Sequence, residues 1–261
     1  MTENLTLHNG AVVPRTAVIT GAGRREGLGF ETARQLGEQG FHVILTARSL
    51  QQVEPLAAEL NADGIAASAL QLDLLDPTSA TAAANEVRER FGTVDVLVNN
   101  AAMMINSPTV QQKDIEELTR EFQTNVIGTW TVTAKFHPLL AASGHGRVVN
   151  VSSGAGSFGD PDYGLADFPG AEMAKFGATV IGAYAITKAA VNAFTIKASK
   201  DFADDHILVN SVCPGVVATR PGTENFARPV HDGAAGIVWA ATLPDDGPTG
   251  LFFRDGQQLP W

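Results

Sequence analysis

Tyr184 and Lys188 stand four residues apart in Tyr184-Ala-Ile-Thr-Lys188, a spacing that puts both on one face of a helix, about one turn apart. A cation held beside a phenol favours the phenolate and lowers its pKa from about 10 toward the working pH. A tyrosine tuned in that way gives a proton to a carbonyl oxygen or takes one from an alcohol. Ser153, in Val151-Ser-Ser153, adds a hydroxyl able to stabilise an oxygen on which charge grows. The pair alone is equally the pattern of a core tyrosine beside a surface lysine, so the rest of the chain has to carry the reading.

Short β-branched runs alternate with alanine-rich stretches. Runs 16–20, 42–46, 69–72, 94–98, 147–151, 208–212 and 251–253 read as strands, and segments 29–39, 50–62, 78–91, 112–141, 179–204 and 230–241 as helices. Continuously apolar strands separated by helices imply a parallel sheet covered on both faces. The expected fold class is α/β: a single-domain, doubly wound, Rossmann-type parallel sheet of about seven strands with helices on both faces. Ligands then bind at the carboxyl ends of the strands. One domain over 1–261 is expected, with 14–110 mainly binding a cofactor and 111–261 holding the catalytic and substrate half. Segment 154–178, rich in glycine with two prolines and three phenylalanines, reads as an expanded loop beside the site.

With 44% hydrophobic and 18% charged residues the chain has ample core, and its net charge of -10 argues against a nucleic-acid or anionic-membrane surface. Cys213 is the only cysteine; no intrachain disulfide forms, and a reducing cytoplasm is the expected location. Residues 1–14 lack the basic start and apolar run of a signal peptide, and no segment has the length of a membrane span. The six histidines lack metal-ligand spacing, so no metal is expected.

After the first strand comes Gly21-Ala-Gly23-Arg24-Arg25-Glu-Gly27-Leu28-Gly29, leading straight into a helix. Glycines let the backbone approach a pyrophosphate, and the helix N-terminus faces its charge. The spacing is not Gly-x-Gly-x-x-Gly. At the end of the second strand, where a carboxylate would bind ribose hydroxyls and favour NAD, stand Ala47 and Arg48. An arginine there pairs with a ribose 2′-phosphate. Arg24, Arg25 and Arg48 therefore favour NADPH/NADP+ over NADH, with the choice between Arg24 and Arg25 open.

In this order the chain resembles the short-chain dehydrogenase/reductase family, from about Arg15 onward. The motifs are the glycine turn, Asp73 after the third strand, Asn99-Asn100-Ala101-Ala102 after the fourth, Asn125, Ser153, Tyr184 with Lys188, and Pro214-Gly215 with Thr219. The 31-residue interval from Ser153 to Tyr184 and the ending Gly247-Pro-Thr-Gly-Leu-Phe-Phe-Arg-Asp-Gly256 look most like its carbonyl-reductase branch. Two features depart from the family: five residues, not three, separate Gly21 from Gly27, and Ala102 stands where glycine is usual.

The resemblance implies that Tyr184 donates a proton to a carbonyl oxygen as NADPH delivers hydride to its carbon, and that Ser153 orients that oxygen. Lys188 would hold the nicotinamide ribose and lower the tyrosine pKa, and Asn125 would hold a relay water. Asp73 and Leu74 would meet the adenine, Asn100 and Ala101 the adenosine side, and Val217 and Thr219 the carboxamide, with Pro214 and Gly215 shaping the loop. Asp73 also reads as a helix cap and Pro214-Gly215 as an ordinary turn.

Among rivals, Ser152 precedes the family's position, Tyr163 reads as pocket lining, and Cys213 as a small buried residue. Met103, Met104, Phe158, Phe168, Phe176 and Phe226 suit a bulky apolar ketone or aldehyde, or simple packing. The leading expectation is ketone or aldehyde reduction. The alternatives are an NADP-linked alcohol or steroid-like dehydrogenase working in oxidation, and a non-catalytic NADP(H) sensor. The partner is a small carbonyl or alcohol substrate, with neither nucleic acid nor membrane. By the resemblance, relatives pair through the helices after the fourth and fifth strands, and a segment 154–178 shorter than the insertion of monomeric carbonyl reductases favours a homo-oligomer over a monomer.

Overall fold

A computed structural model describes residues 5–8, 11–105, 110–111, 114–165, 182–220, 222–223 and 225–261. It opens with an antiparallel hairpin, β1 (Leu5–His8) and β2 (Ala11–Pro14). The main sheet follows as β3 (Thr16–Ile19), β4 (His42–Ala47), β5 (Ala67–Gln71), β6 (Val96–Asn99), β7 (Arg147–Val151), β8 (Leu208–Val212), β9 (Phe252–Arg254) and β10 (Gln257–Gln258). Its order is β10-β9-β8-β7-β6-β3-β4-β5, with every pairing parallel except β9 with β10. The chain winds outward in one direction through β4 and β5, then returns to β6 and winds the other way. The loops leaving β3 and β6 therefore diverge and open a crevice at their carboxyl ends.

Helices α1 (Leu28–Glu38), α2 (Leu50–Ala62) and α7 (Val230–Ala241) cover one face, and α3 (Pro77–Phe91), α5 (Thr129–Ser143) and α6 (Gly182–Asp201) the other. Side chains of one strand alternate between the layers. Ile19, Leu45 and Val98 join Phe30, Leu36 and Ile237 on the first face. Val18, Ile44 and Leu97 join Val132, Phe136 and Leu140 on the second. Both sides are apolar, which is why the strands read as unbroken hydrophobic runs. Each such aliphatic side chain contributes about 1.5–3 kcal/mol by leaving water.

Three features differ from the sequence expectation. The sheet has eight strands, because Asp255 (φ 51°) and Gly256 (φ 74°) turn the chain back and add β10 at the edge. The N-terminal hairpin was not anticipated, although two short runs flank Asn9-Gly10, a strong turn dipeptide. The single helix expected over 112–141 is α4 (Ile115–Phe122), a π-helical turn at Gln123–Gly128, and α5. Asp114 caps α4 by accepting from the N–H groups of Glu116 and Glu117. The π turn lies where Gly128 meets the loop after β5: a Cβ there would stand 2.7 Å from Leu74 Cβ. Such turns mark functional positions more often than chance.

Candidate active site

The turn from β3 into α1 is built around Thr20. Its buried hydroxyl donates to Val98 O (3.3 Å) and accepts from the N–H groups of Asn100 and Ala101 (both 3.0 Å), joining the loops of β3 and β6. Gly21 has φ 66°, and a Cβ on it would lie 2.7 Å from Ala101 Cα, so only glycine fits. Asn100 Nδ2 donates to Thr20 O (2.7 Å) and sits 2.6 Å from where a Gly29 Cβ would be. Gly23 lies against Ala47, Gly27 precedes α1 in extended conformation, and half-buried Leu28 begins the helix. The result is a bare backbone cradle at a helix N-terminus, suited to a pyrophosphate.

The three arginines separate clearly. Arg25 is paired with Glu59 of α2 at 2.9 Å. Arg24 and Arg48 are exposed, and neither has an ion pair among the described residues. Ala47, at the end of β4, is buried where a ribose-binding carboxylate would otherwise stand. On the adenine side, Asp73 and Leu74 are half-buried. Asp73 is not a helix cap: its carboxylate accepts from Leu75 N–H (3.0 Å) in a local turn, while Asp76 caps α3 through Thr78 N–H (2.8 Å).

The two serines also part. Ser152 is buried and donates to Asn192 Oδ1 (2.6 Å), a packing role. Ser153 is half-exposed, and its hydroxyl accepts from Ala155 N–H at 3.2 Å. The 3-10 turn Gly154–Gly156 presses against α6, since a Gly156 Cβ would stand 2.5 Å from the Lys188 carbonyl carbon. Lys188 is buried; its ammonium donates to Val151 O at 2.6 Å and lies 5.4 Å from the centre of the Tyr184 ring. The end of β7 and the Tyr184–Lys188 face of α6 are thereby one assembly.

The electrostatics correct one expectation. Burial pulls the Lys188 ammonium down from 10.5 to about 8. Tyr184 is raised above its ordinary value, first by burial and then by Cys213 and Glu121. Loss of solvation of the phenolate is the largest cause and sets the direction of the shift. Asn125, within the π turn, is buried and fully engaged. Its Oδ1 accepts from Met103 N–H (2.7 Å), and its Nδ2 donates to Met103 O (2.7 Å) and Thr187 Oγ1 (2.9 Å). Thr187 in turn donates to Tyr184 O (2.7 Å). The amide ties the β6 loop to α6.

Across the crevice, Pro214 and Gly215 (φ 76°) lead to Val217, which pairs with Arg228 in a short bridge; Thr219 N–H donates to Val217 O at 2.8 Å. Cys213 is buried and free, its sulfur accepting from Gly154 N–H at 3.1 Å. Of the apolar wall, Met104, Phe158 and Phe226 are exposed and Met103 is half-buried; Phe168 and Phe176 lie outside the described residues. Sequence reading missed Thr187 and Asn192, yet Tyr184, Lys188 and Asn192 continue the same four-residue spacing. It also missed a buried polar chain beneath the site. There Asn99 Nδ2 donates to Thr133 Oγ1 (2.9 Å) and Asn150 Oδ1 (2.8 Å), Asn150 Nδ2 donates to Thr195 Oγ1 (2.8 Å), and Thr195 meets Ser211 (2.8 Å). No periodicity marks such pairs, since they join different strands and helices.

Residues 15–165 and 170–229 match the family model of short chain dehydrogenases. The chain is 33% identical to (+)-neomenthol dehydrogenase of Arabidopsis thaliana over 94% of its length and 97% of that protein. To carbonyl reductase (NADPH) 1 of Sus scrofa it is 31% identical, covering 95% and 94%. A metagenomic short-chain oxidoreductase crystallised with NADP superposes with a TM-score of 0.73 at 25% identity, over 93% of this chain and 97% of that one. Among the described residues no helix is long and apolar enough to cross a membrane, and no group of three His, Cys, Asp or Glu could hold a metal.

Proposed function

The chain belongs to the short-chain dehydrogenase family, and from that premise we propose that it reduces a ketone or aldehyde to the alcohol with NADPH. The observation that carries this is the buried Lys188 ammonium held between Val151 O and the Tyr184 ring. It puts a proton donor and a cation beside the strand end that carries Ser153. NADPH supplies the hydride when bound. Residues 14–110 mainly hold the cofactor, and 111–261 supply the catalytic and substrate half.

Tyr184 acts as the proton donor. Its raised pKa keeps it a neutral phenol at neutral pH, poised to give a proton as a carbonyl oxygen becomes an alkoxide. Ser153 hydrogen-bonds that oxygen and stabilises its growing charge. Lys188, lowered by burial to about 8, stays mostly protonated at neutral pH and would face the nicotinamide ribose. Asn125 and Thr187 fix the β6 loop against α6, so the donor keeps its place. The same residues serve both directions, and the balance between reduction and oxidation follows the substrate and the cofactor ratio. The similarity to neomenthol dehydrogenase favours the second reading, alcohol oxidation by the same residues.

The cradle fits a dinucleotide phosphate. Gly21 and Gly29 leave room for the pyrophosphate, and Asn100 and Ala101 line the adenosine side with Asp73 and Leu74. Arg24 and Arg48 take the 2′-phosphate, while Arg25 is a latch to α2. Pro214, Gly215, Val217 and Thr219 form the nicotinamide-side wall. With Cys213 free and buried, a reducing cytoplasm suits the protein. Ile127, Trp130 and Ile186, each more than half exposed around α5 and α6, are proposed to meet a second copy of this chain. Trp130→Asp should then convert an oligomer to a monomer in size-exclusion chromatography with light scattering.

Tyr184→Phe tests the mechanism. Ketone reduction, followed by NADPH absorbance, should vanish while NADPH affinity stays near that of the parent. Undiminished reduction by this variant would sink the reading.

A further inference from the structure

Ser153 leaves β7 in extended conformation (φ -152°, ψ 146°), and the chain turns at once through Gly154–Gly156 toward the substrate side. Among the described residues its hydroxyl has only a local partner, so its place depends on what holds the segment that follows. That grip comes from β9, two strands away. The Arg254 guanidinium pairs with the fully buried Asp160 and with Asp162 (2.7 Å), and it lies 4.7 Å from the centre of the Tyr163 ring. A Cβ on Gly154 would run into Asp160 and stand 2.7 Å from Arg254 Nη2, so the ion pair sits directly beside the residue after Ser153. Its neighbour Asp255 pairs with Arg228 (2.8 Å), which lies along the Val217 segment. Two consecutive residues of one edge turn thus hold the two opposite walls of the crevice.

We infer that Arg254 is a positioning residue. Its guanidinium fixes segment 154–163, and with it the Ser153 hydroxyl and the Tyr163 wall, relative to Tyr184. The assignment rests on the reduction reading above. The forked, planar guanidinium matters because it serves two carboxylates and a ring at once, which an ammonium cannot do. Ser157 Oγ donating to Pro260 O (2.7 Å) and Gly159 N–H donating to Trp261 O (3.2 Å) extend the same attachment.

The experiment compares the full chain with Arg254→Met, Arg254→Lys and the double variant Asp160→Leu/Arg254→Met, which leaves no unpaired buried carboxylate at Asp160. NADPH binding is titrated by fluorescence, ketone reduction gives kcat and KM, and hydrogen exchange follows Gly164 and Leu165, whose N–H groups donate to Asp160 O and Ser157 O. NADPH affinity should stay within about twofold, while kcat falls about tenfold or more and KM changes less. Exchange at Gly164 and Leu165 should accelerate about tenfold with β3 to β5 unchanged. Arg254→Lys should recover part of kcat. A folded, NADPH-binding variant with kcat and exchange like the parent overturns the inference. So does loss of NADPH binding in both methionine variants, which would show a general folding role. A parent that reduces no carbonyl removes the reduction reading instead, and exchange in 154–165 then decides the positioning by itself.

Discussion

Lys188→Met should remove a pH-dependent penalty from the fold while abolishing turnover. The side chain is 3% exposed, and burial pulls its pKa from 10.5 to about 8. That difference corresponds to about 3 kcal/mol between the charged and neutral forms. The folded value lies below the unfolded one, so between those pH values the unfolded chain keeps a proton that the folded chain has released. The penalty is full below about pH 8 and is relieved as pH rises toward 10.5. Between pH 7 and 10 the parent should gain about 2.5 kcal/mol from this group alone. The methionine variant lacks that gain. It also leaves Val151 O without its 2.6 Å partner, a cost of about 1–3 kcal/mol that does not vary with pH. Urea unfolding of both chains at pH 7, 8, 9 and 10 isolates the charge: parent minus variant should climb by about 2.5 kcal/mol. Tyr184, raised above 10, acts with opposite sign only at the alkaline end and is common to both chains. Parallel profiles would refute the claim that a desolvated ammonium stands beside the phenol.

Arg24→Ala and Arg48→Ala should each lower kcat/KM for NADPH about tenfold and leave NADH nearly unchanged, whereas Arg25→Ala should cost less than about threefold. A parent that prefers NADH would show the cofactor reading wrong. Asn150→Ala removes the centre of the buried polar chain and leaves Asn99 and Thr195 each short of a partner, so stability in urea should drop by about 3 kcal/mol. A loss below about 1 kcal/mol would mean that water or neighbours re-pair those groups.

The strands were legible because both faces of each are apolar, and the site residues because their order along the chain is distinctive. Ser153 could be told from Ser152 only by position; the structure supplies the reason, since Ser152 is consumed by Asn192. The roles of Arg24 and Arg25 were not legible, because Glu59 lies 34 residues from Arg25 and no local pattern announces the pair. The direction of the Tyr184 shift was misjudged for a related reason. Spacing reports the neighbouring cation, but the loss of solvation that raises the phenol belongs to the packed molecule. Arg254 reads in sequence as one charge at the end of an apolar run, and its two aspartates lie more than ninety residues away.

The π turn between α4 and α5 works as a dislocation in an otherwise periodic lattice. One widened turn shifts the phase of everything after it, so two helices with different registers follow one another without a break in helical backbone. The first half and the turn itself point Glu121 and Asn125 inward toward the β6 loop and α6; the second half points Val132, Thr133 and Phe136 at the sheet. Excising one residue between 123 and 128 would restore a regular helix and rotate one half by about 100°. Either the amide that ties Met103 to Thr187 or the hydroxyl that seats Asn99 would then face the wrong way. The irregularity is the condition under which a single continuous rod can serve the core and the crevice at once.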